Sequence, residues 1–211
     1  MYILGSIYQF FYVKWGYRYI NFGIVKMGFV ALDKTIVYFL IYLIFRTIYN
    51  FFGRKKSITF KRELIFDFLV FYFLFILFFT VFRKSYWPWQ IRFDFHRSLK
   101  DINWIPFVQT LKMTNGITKV ALVYNFLGNI LLFIPIGFLM CSIRKTPHHK
   151  ILTFFSGFFL SVSIEAAQFI FHSGQSDIDD IIFNTVGILL GLGIYHLLVE
   201  SKKKSGKRKN K

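Results

Sequence analysis

The sequence predicts an all-α membrane protein, a polytopic bundle of about five transmembrane helices. Of its 211 residues, 55% are hydrophobic and 22% are aromatic, which is more apolar surface than a soluble domain of this length could bury. The apolar residues form long runs, and a helix needs roughly 20 of them to cross a bilayer. Most of the 27 Lys and Arg residues lie between or after these runs, as expected for anchors against anionic lipid head groups. This placement argues against nucleic acid as the partner that explains the net charge of +17.

Five apolar runs are candidate membrane spans: residues 34–52, 64–82, 120–143, 151–171 and 180–199. Arg46 lies close enough to the end of the first run for its long side chain to reach the head groups. Residues 1–13 are apolar and aromatic, but no charged segment of a signal peptide precedes them and no small-residue cleavage site follows. We expect residues 1–27 to form an interfacial or re-entrant segment, and an additional span is the main alternative.

The basic residues also predict how the chain crosses the membrane. Residues 54–61, residues 144–150 and the C-terminal tail are rich in Lys and Arg, which places them in the cytoplasm, whereas residues 172–179 carry neither. We therefore expect a plasma-membrane protein whose C-terminus is cytoplasmic. Residues 83–119 would then lie outside, although they carry seven Lys or Arg.

The outer loop, residues 83–119, is rich in tryptophan. It contains Trp87-Pro88-Trp89 and Trp104, and Trp at this density marks the membrane–water interface. We expect the loop to lie on the outer surface or to re-enter the membrane under cover of protein. The predicted organisation is an interfacial segment with two spans (1–82), the outer loop (83–119), a three-helix core (120–199) and a basic tail (200–211).

Polar residues recur at helical spacing in the last three spans. Glu165 and Gln168 share one face of the fourth span, and Asp180 and Asn184 share one face of the fifth. At about 1.5 Å of rise per residue, Asn129 of the third span reaches a depth similar to that of Glu165 and Asn184. Charged and amide side chains are costly in hydrocarbon, so these faces should turn inward and line a pocket open to the outside. The predicted pocket residues are Asn129, Glu165, Gln168, Asp177, Asp179, Asp180 and Asn184.

Some of these residues have a simpler structural interpretation. Ser176 followed by Asp179 matches a helix N-cap with an acid three residues later. Asn129 and Asn184 could hydrogen-bond one helix to another. Glu165 is the hardest to explain in this way, because its own span carries no Lys or Arg to pair with it.

Small residues in the core predict how its helices pack. Gly187 and Gly191 form a small-xxx-small pair, for which close helix packing is the favoured interpretation. Pro135 with Gly137 is more typical of a kink in the third span than of a binding site.

The chemistry that the acidic residues could perform stays open at the level of sequence. Glu165 is a candidate catalytic residue, a general acid or base whose burial would raise its pKa. Asp177 and Asp180 are candidate ligands of a hard divalent cation, which could in turn hold a phosphate. The sequence has no His-Glu-x-x-His motif, which excludes a metalloprotease of that type.

Three segments of the core resemble the VanZ-like family: Asn129-Ile-Leu-Leu-Phe-Ile-Pro-Ile-Gly137, Ile164-Glu-Ala-Ala-Gln168 and Ser176-Asp-Ile-Asp-Asp-Ile-Ile-Phe-Asn-Thr-Val-Gly187. Asn103-x-x-Pro106-Phe107 resembles the element that precedes the family's membrane core. The resemblance covers residues 102–195, about half of the chain. It implies a link to low-level resistance to teicoplanin-type glycopeptides in Gram-positive bacteria. Many members of the family carry Arg where this chain has Gln175; if that Arg binds an anion, this chain lacks it or supplies it from another loop.

These observations support three functional hypotheses. The first is a cell-envelope protein whose outer-leaflet pocket binds an amphiphile, such as a lipid-linked wall intermediate or a lipoglycopeptide. Membrane lipids would be further partners of such a protein. The second is an intramembrane enzyme acting on a lipid-linked or phosphate-containing envelope substrate. The third is a membrane scaffold, in which the polar faces of the spans serve only to hydrogen-bond one helix to another. Sequence alone decides neither the ligand nor the oligomeric state.

Overall fold

The computed structural model describes residues 1–16, 22–52, 59–108, 119–144 and 148–200, and the fold is all-α. The chain divides into two compact units. The first consists of Met1–Asp94 with Phe171–Gly174, and the second of Phe95–Ile170 with Gln175–Lys211. Within the described ranges, five helices are long and apolar enough to cross a membrane: Gly23–Phe52, Phe60–Thr80, Phe126–Ile143, His149–Ile170 and Ile178–Val199. The prediction of a helical, multi-pass membrane protein is therefore confirmed.

The first unit contains three helices: α1 (Gly5–Phe11), α2 (Phe22–Phe52) and α3 (Phe60–Thr80). The seven residues of α1 are too few to cross a bilayer. α2 begins at Phe22, earlier than the predicted start at residue 34, so Asp33 and Lys34 lie inside this helix. The two charges interrupt the apolar run in the sequence, but the fold buries both of them.

Asp33 fixes the chain that leads into α1. Its carboxylate accepts hydrogen bonds from three successive backbone N–H groups, those of Tyr2 (2.8 Å), Ile3 (2.8 Å) and Leu4 (2.7 Å). The hydroxyl of Tyr86 donates a fourth bond at 2.8 Å. The N–H groups at a helix start have no partner within the helix. A buried carboxylate on α2 thus fixes the residues that precede α1 and satisfies the N–H of its N-cap residue, Leu4.

Lys34 fixes the chain that leaves α3. Its ammonium group donates to the backbone carbonyls of Phe82 (2.8 Å), Ser85 (2.8 Å) and Arg83 (3.3 Å). It also lies 5.7 Å from the ring centre of Tyr86. The charge is buried, with 2% of the residue exposed, but all three of its N–H bonds have acceptors.

A charge pair joins α2 to α3 within their spans. Arg46 forms an ion pair with Asp67, and the hydroxyl of Tyr42 donates to the same carboxylate at 3.1 Å. The sequence had suggested that Arg46 extends to the head groups. In the structure it instead pairs with an acid on the neighbouring helix. Pairing lowers the cost of both charges in hydrocarbon.

The second unit contains α4 (Lys119–Ile143), α5 (His149–Ile170) and α6 (Ile178–Tyr195), which continues as a π-helical turn to Glu200. These three helices begin and end within two residues of the predicted runs 120–143, 151–171 and 180–199, except at the C-terminal end of α6. α4 continues through Pro135.

Glycines let α4 and α6 approach closely. A Cβ atom at Gly187 would overlap the carbonyl oxygen of Ile130, and one at Gly191 would overlap that of Ile134. On the facing helix, a Cβ atom at Gly137 would overlap the carbonyl oxygen of Ile188. The two backbones therefore touch without intervening side chains, the arrangement that small residues permit in membrane bundles.

Some of the predictions fall on residues outside the described ranges. These are the basic tail, most of residues 54–61, residues 145–147 and part of the outer loop.

Candidate functional site

One face of α5 carries a buried polar stripe. Thr153 and Ser161 are fully buried, Glu165 is 5% exposed and Gln168 is 9% exposed. These residues recur every three to eight positions and so lie on one side of the helix. Large apolar side chains such as Phe159 occupy the opposite side and are exposed. The stripe faces the interior of the second unit, in the orientation that its spacing predicts.

The middle of the stripe meets α6 at Asn184. The amide nitrogen of Asn184 donates to the Ser161 hydroxyl at 2.9 Å, and both residues are buried. The amide oxygen of Asn184 is also buried and has no hydrogen-bond partner within the described residues. A buried acceptor without a donor costs about 1–3 kcal/mol. Asn184 therefore has an unused hydrogen-bonding group inside the unit.

Glu165 connects α5 to the segment that starts α6. Its carboxylate accepts the backbone N–H of Asp177 at 3.1 Å. Its backbone carbonyl accepts the Ser176 hydroxyl at 2.8 Å. We call residues 176–180, which contain Asp177, Asp179 and Asp180, the acidic block. Glu165 thus lies where the polar stripe meets the acidic block, and both its side chain and its backbone contact that block.

Asp177, not Ser176, is the N-cap of α6. Its carboxylate accepts the N–H of Asp179 at 3.0 Å. The sequence pattern pointed to Ser176, but the Ser176 hydroxyl donates to a carbonyl of α5 instead. The interpretation of this block as a helix start was therefore correct, with the cap displaced by one residue.

The acidic block also holds a distant loop, which the helical spacing could not reveal. The Asn103 amide donates to the Asp177 carboxylate at 2.8 Å, and the Asn103 backbone exchanges hydrogen bonds of 3.1 Å with Ser176 and Ile178. The N–H of Phe107 donates to the Asp179 carboxylate at 2.6 Å. Phe107 has a φ of 63°, which is strained for a bulky residue. Asp177 and Asp179 thus fix this loop against the start of α6.

Asn129 and Asp180 join α4 to α6. The Asn129 amide donates to the Asp180 carboxylate at 2.5 Å. Asp180 lies one turn before Asn184 on α6, so this contact lies one turn from the unpaired amide oxygen. The structure therefore brings four predicted pocket residues, Asn129, Glu165, Asp180 and Asn184, into contacts that connect α4, α5 and α6.

The acidic groups do not gather into an evident metal centre. Within the residues that the structure describes, no three His, Cys, Asp or Glu side chains are grouped so that they could hold a metal ion. The carboxylates of Asp177 and Asp180 each accept a hydrogen bond from an amide side chain. The possibility that these two residues bind a cation stays a prediction.

Comparison with known proteins identifies the family. A model of the VanZ/LLP1 family matches residues 68–199, more than half of the chain. The chain belongs to the VanZ/LLP1 family. A similar protein is Protein VanZ of Enterococcus faecium, which is 30% identical over 133 residues, covering 61% of this chain and 71% of that protein. No solved structure gives a significant match.

The VanZ/LLP1 match contains all the predicted pocket residues and the loop at Asn103 and Phe107. It begins at Phe68, well before the resemblance seen at residues 102–195. The buried pair Asp33 and Lys34 lies outside it. The role of this pair leaves no pattern in the sequence, because the partners of Asp33 and Lys34 are mostly backbone groups far along the chain.

Proposed function

We propose that this VanZ/LLP1 protein uses the polar interior of its second unit, at the outer leaflet of the plasma membrane, to bind the head of an envelope amphiphile. The observation that carries the proposal is the buried, unpaired amide oxygen of Asn184, which lies beside the contacts made by Ser161, Asp180 and Glu165. A donor from a ligand would remove the cost of leaving this acceptor without a partner.

The chemical class of the ligand follows from the groups that surround this acceptor. Carboxylate and amide oxygens accept hydrogen bonds from hydroxyl and amide N–H groups. Lipid-linked wall intermediates and lipoglycopeptides both carry such donors on a head attached to an apolar tail. Both also partition into the membrane, which the apolar helices of this protein are long enough to cross. We propose these two classes, and hence a contribution to teicoplanin-type resistance, as the function of the protein.

Two serines of α5 provide a matched test in cells. The Ser161 hydroxyl is buried and accepts from Asn184, whereas the exposed Ser163 hydroxyl donates to the carbonyl of Phe159 in its own helix. In a Gram-positive host that expresses the protein, we expect Ser161→Ala and Asn184→Leu to lower the teicoplanin concentration that inhibits growth toward the empty-vector value. Ser163→Ala should retain the wild-type value.

The same variants separate binding from a purely structural role. Membrane levels and thermal unfolding in detergent are measured for each variant. If Ser161→Ala loses resistance while it accumulates and unfolds like the wild type, a scaffold role is excluded. If all variants at normal levels leave susceptibility unchanged, the proposal is contradicted.

Glu165 supplies the test for catalysis. Purified protein is incubated with a lipid-linked wall intermediate, with and without chelator, and the lipid is analysed for product. Turnover that disappears in Glu165→Gln would assign the site to an enzyme and replace the binding proposal.

A further inference from the structure

The first unit contains an apolar cavity of about 220 Å³. It is formed by the C-terminal half of α3, one side chain of α2 and the segment that follows α3. Its lining includes Tyr38, Leu77, Phe78, Tyr86, Trp87 and Ile91. All the residues that line this cavity belong to the first unit.

Hydrogen bonds hold the wall that follows α3 in place. The side-chain oxygen of Gln90 accepts the backbone N–H groups of Tyr86 (2.7 Å) and Trp87 (3.0 Å). The Tyr38 hydroxyl of α2 donates to the Tyr86 carbonyl at 2.9 Å. The Lys34 ammonium donates to the Ser85 carbonyl at 2.8 Å. The cavity is therefore preformed, as ligand sites usually are.

The chain beside the cavity is positively charged. Arg83, Lys84 and Arg92 lie between residues 82 and 94, and the only acid there, Asp94, pairs with His172 at 3.4 Å. Arg92 directly follows the lining residue Ile91 and is exposed. No hydrogen bond or ion pair to Arg92 is found in the described part of the chain. A guanidinium next in sequence to the cavity lining is suited to bind an anion.

We propose that the cavity binds one acyl chain of an anionic phospholipid, whose phosphate is held by Arg92. The volume is smaller than the roughly 300–1,000 Å³ of a site that encloses a whole drug-sized ligand, so only part of a chain fits. The apolar lining offers no partner to a head group, which must stay outside. Lipid tails are as apolar as leucine, so burial of the tail alone gives little preference among lipids. Selectivity comes from the charge of the head group.

The test titrates the purified full-length protein in detergent with phosphatidylglycerol or phosphatidylcholine and counts bound lipids by native mass spectrometry. We expect the first phosphatidylglycerol to bind about fivefold more tightly than phosphatidylcholine, the factor that one basic residue near a membrane surface supplies. Arg92→Gln should abolish this preference. Leu77→Trp, which fills the cavity, should weaken the binding of both lipids.

Two variants of α3 serve as controls. Leu64→Trp adds the same side chain at an exposed position outside the cavity lining, and Arg62→Gln removes a charge near the start of the same helix. Both should bind lipid like the wild type. If Arg62→Gln lowers the preference as much as Arg92→Gln, or if folded Leu77→Trp binds lipid normally, the proposal is overturned. Leu74→Phe, which fills less of the cavity, replaces Leu77→Trp if the latter does not fold.

Discussion

At the scale of single residues, the carboxylates of this protein have different structural roles. Asp177 and Asp179 accept mostly backbone N–H groups and fix a loop at the start of α6. Asp180 instead accepts an amide side chain from another helix. Asp33 performs the most demanding structural role, because it is fully buried and holds three backbone N–H groups. The acids of the chain therefore should not respond alike to neutralisation.

Neutralising Asp33 tests this distinction. Asp33→Asn keeps an acceptor oxygen but loses the charge, and hydrogen bonds to charged groups contribute about 1.5–3 kcal/mol. We expect the variant to lower the free energy of unfolding by about that amount, measured by thermal unfolding in detergent. Asp94→Asn is the control, because the Asp94 side chain is 42% exposed and its contact with His172 lies at the surface, where such a contact should contribute about 0–1 kcal/mol. Equal effects of the two variants would contradict the role assigned to Asp33.

The burial of individual polar residues could be predicted where it depends on the spacing of residues along one helix. The stripe with Ser161, Glu165 and Gln168 follows from helical spacing, and the structure buries it. The hydrogen bond between Asn103 and Asp177 joins residues that are 74 positions apart in the sequence, and no periodicity connects them. The N-cap was displaced by one residue because the Ser176 hydroxyl found an acceptor on α5 that the sequence does not reveal.

At the scale of elements, glycine sets the distance between α4 and α6. The small residues predicted close packing, because residues four apart share a helix face. The structure adds which backbone each glycine touches: Gly187 faces Ile130, and Gly191 faces Ile134. The extent of α2 was harder to predict. In the sequence, the charges of Asp33 and Lys34 indicate the end of a span, because the groups that pair with them in the folded protein are not visible there.

Two glycines of α6 test the packing of this helix. Gly191→Ala places a Cβ atom against the Ile134 carbonyl, and relieving the overlap must move the backbone of α4 or α6. Overpacking of this kind typically costs about 1–3 kcal/mol, so we expect a lower unfolding temperature in detergent. Gly193→Ala meets nothing within 4 Å and should be neutral or stabilising, because alanine favours helix. A Gly191→Ala protein as stable as Gly193→Ala would show that the helices do not pack as described.

At the scale of the whole molecule, apolar composition and run length were sufficient to predict a helical, multi-pass membrane protein. In the part of the chain that the structure describes, five helices are long and apolar enough to cross a bilayer, and their positions follow the apolar runs. The VanZ/LLP1 family match extends from α3 to the end of α6 and includes the polar site. Composition could not reveal the buried, unpaired oxygen of Asn184, because that feature depends on which polar groups meet after folding.

The most direct measurement of the central claim is equilibrium binding of teicoplanin and of a lipid-linked wall intermediate to the purified protein in nanodiscs. The proposal predicts saturable binding of at least one of them by the wild type and by Ser163→Ala. It also predicts binding at least about tenfold weaker in Asn184→Leu, the effect of losing about 1.4 kcal/mol, with the variant still folded. Binding of neither ligand by the wild type, or equal affinity in wild type and folded Asn184→Leu, would contradict the claim.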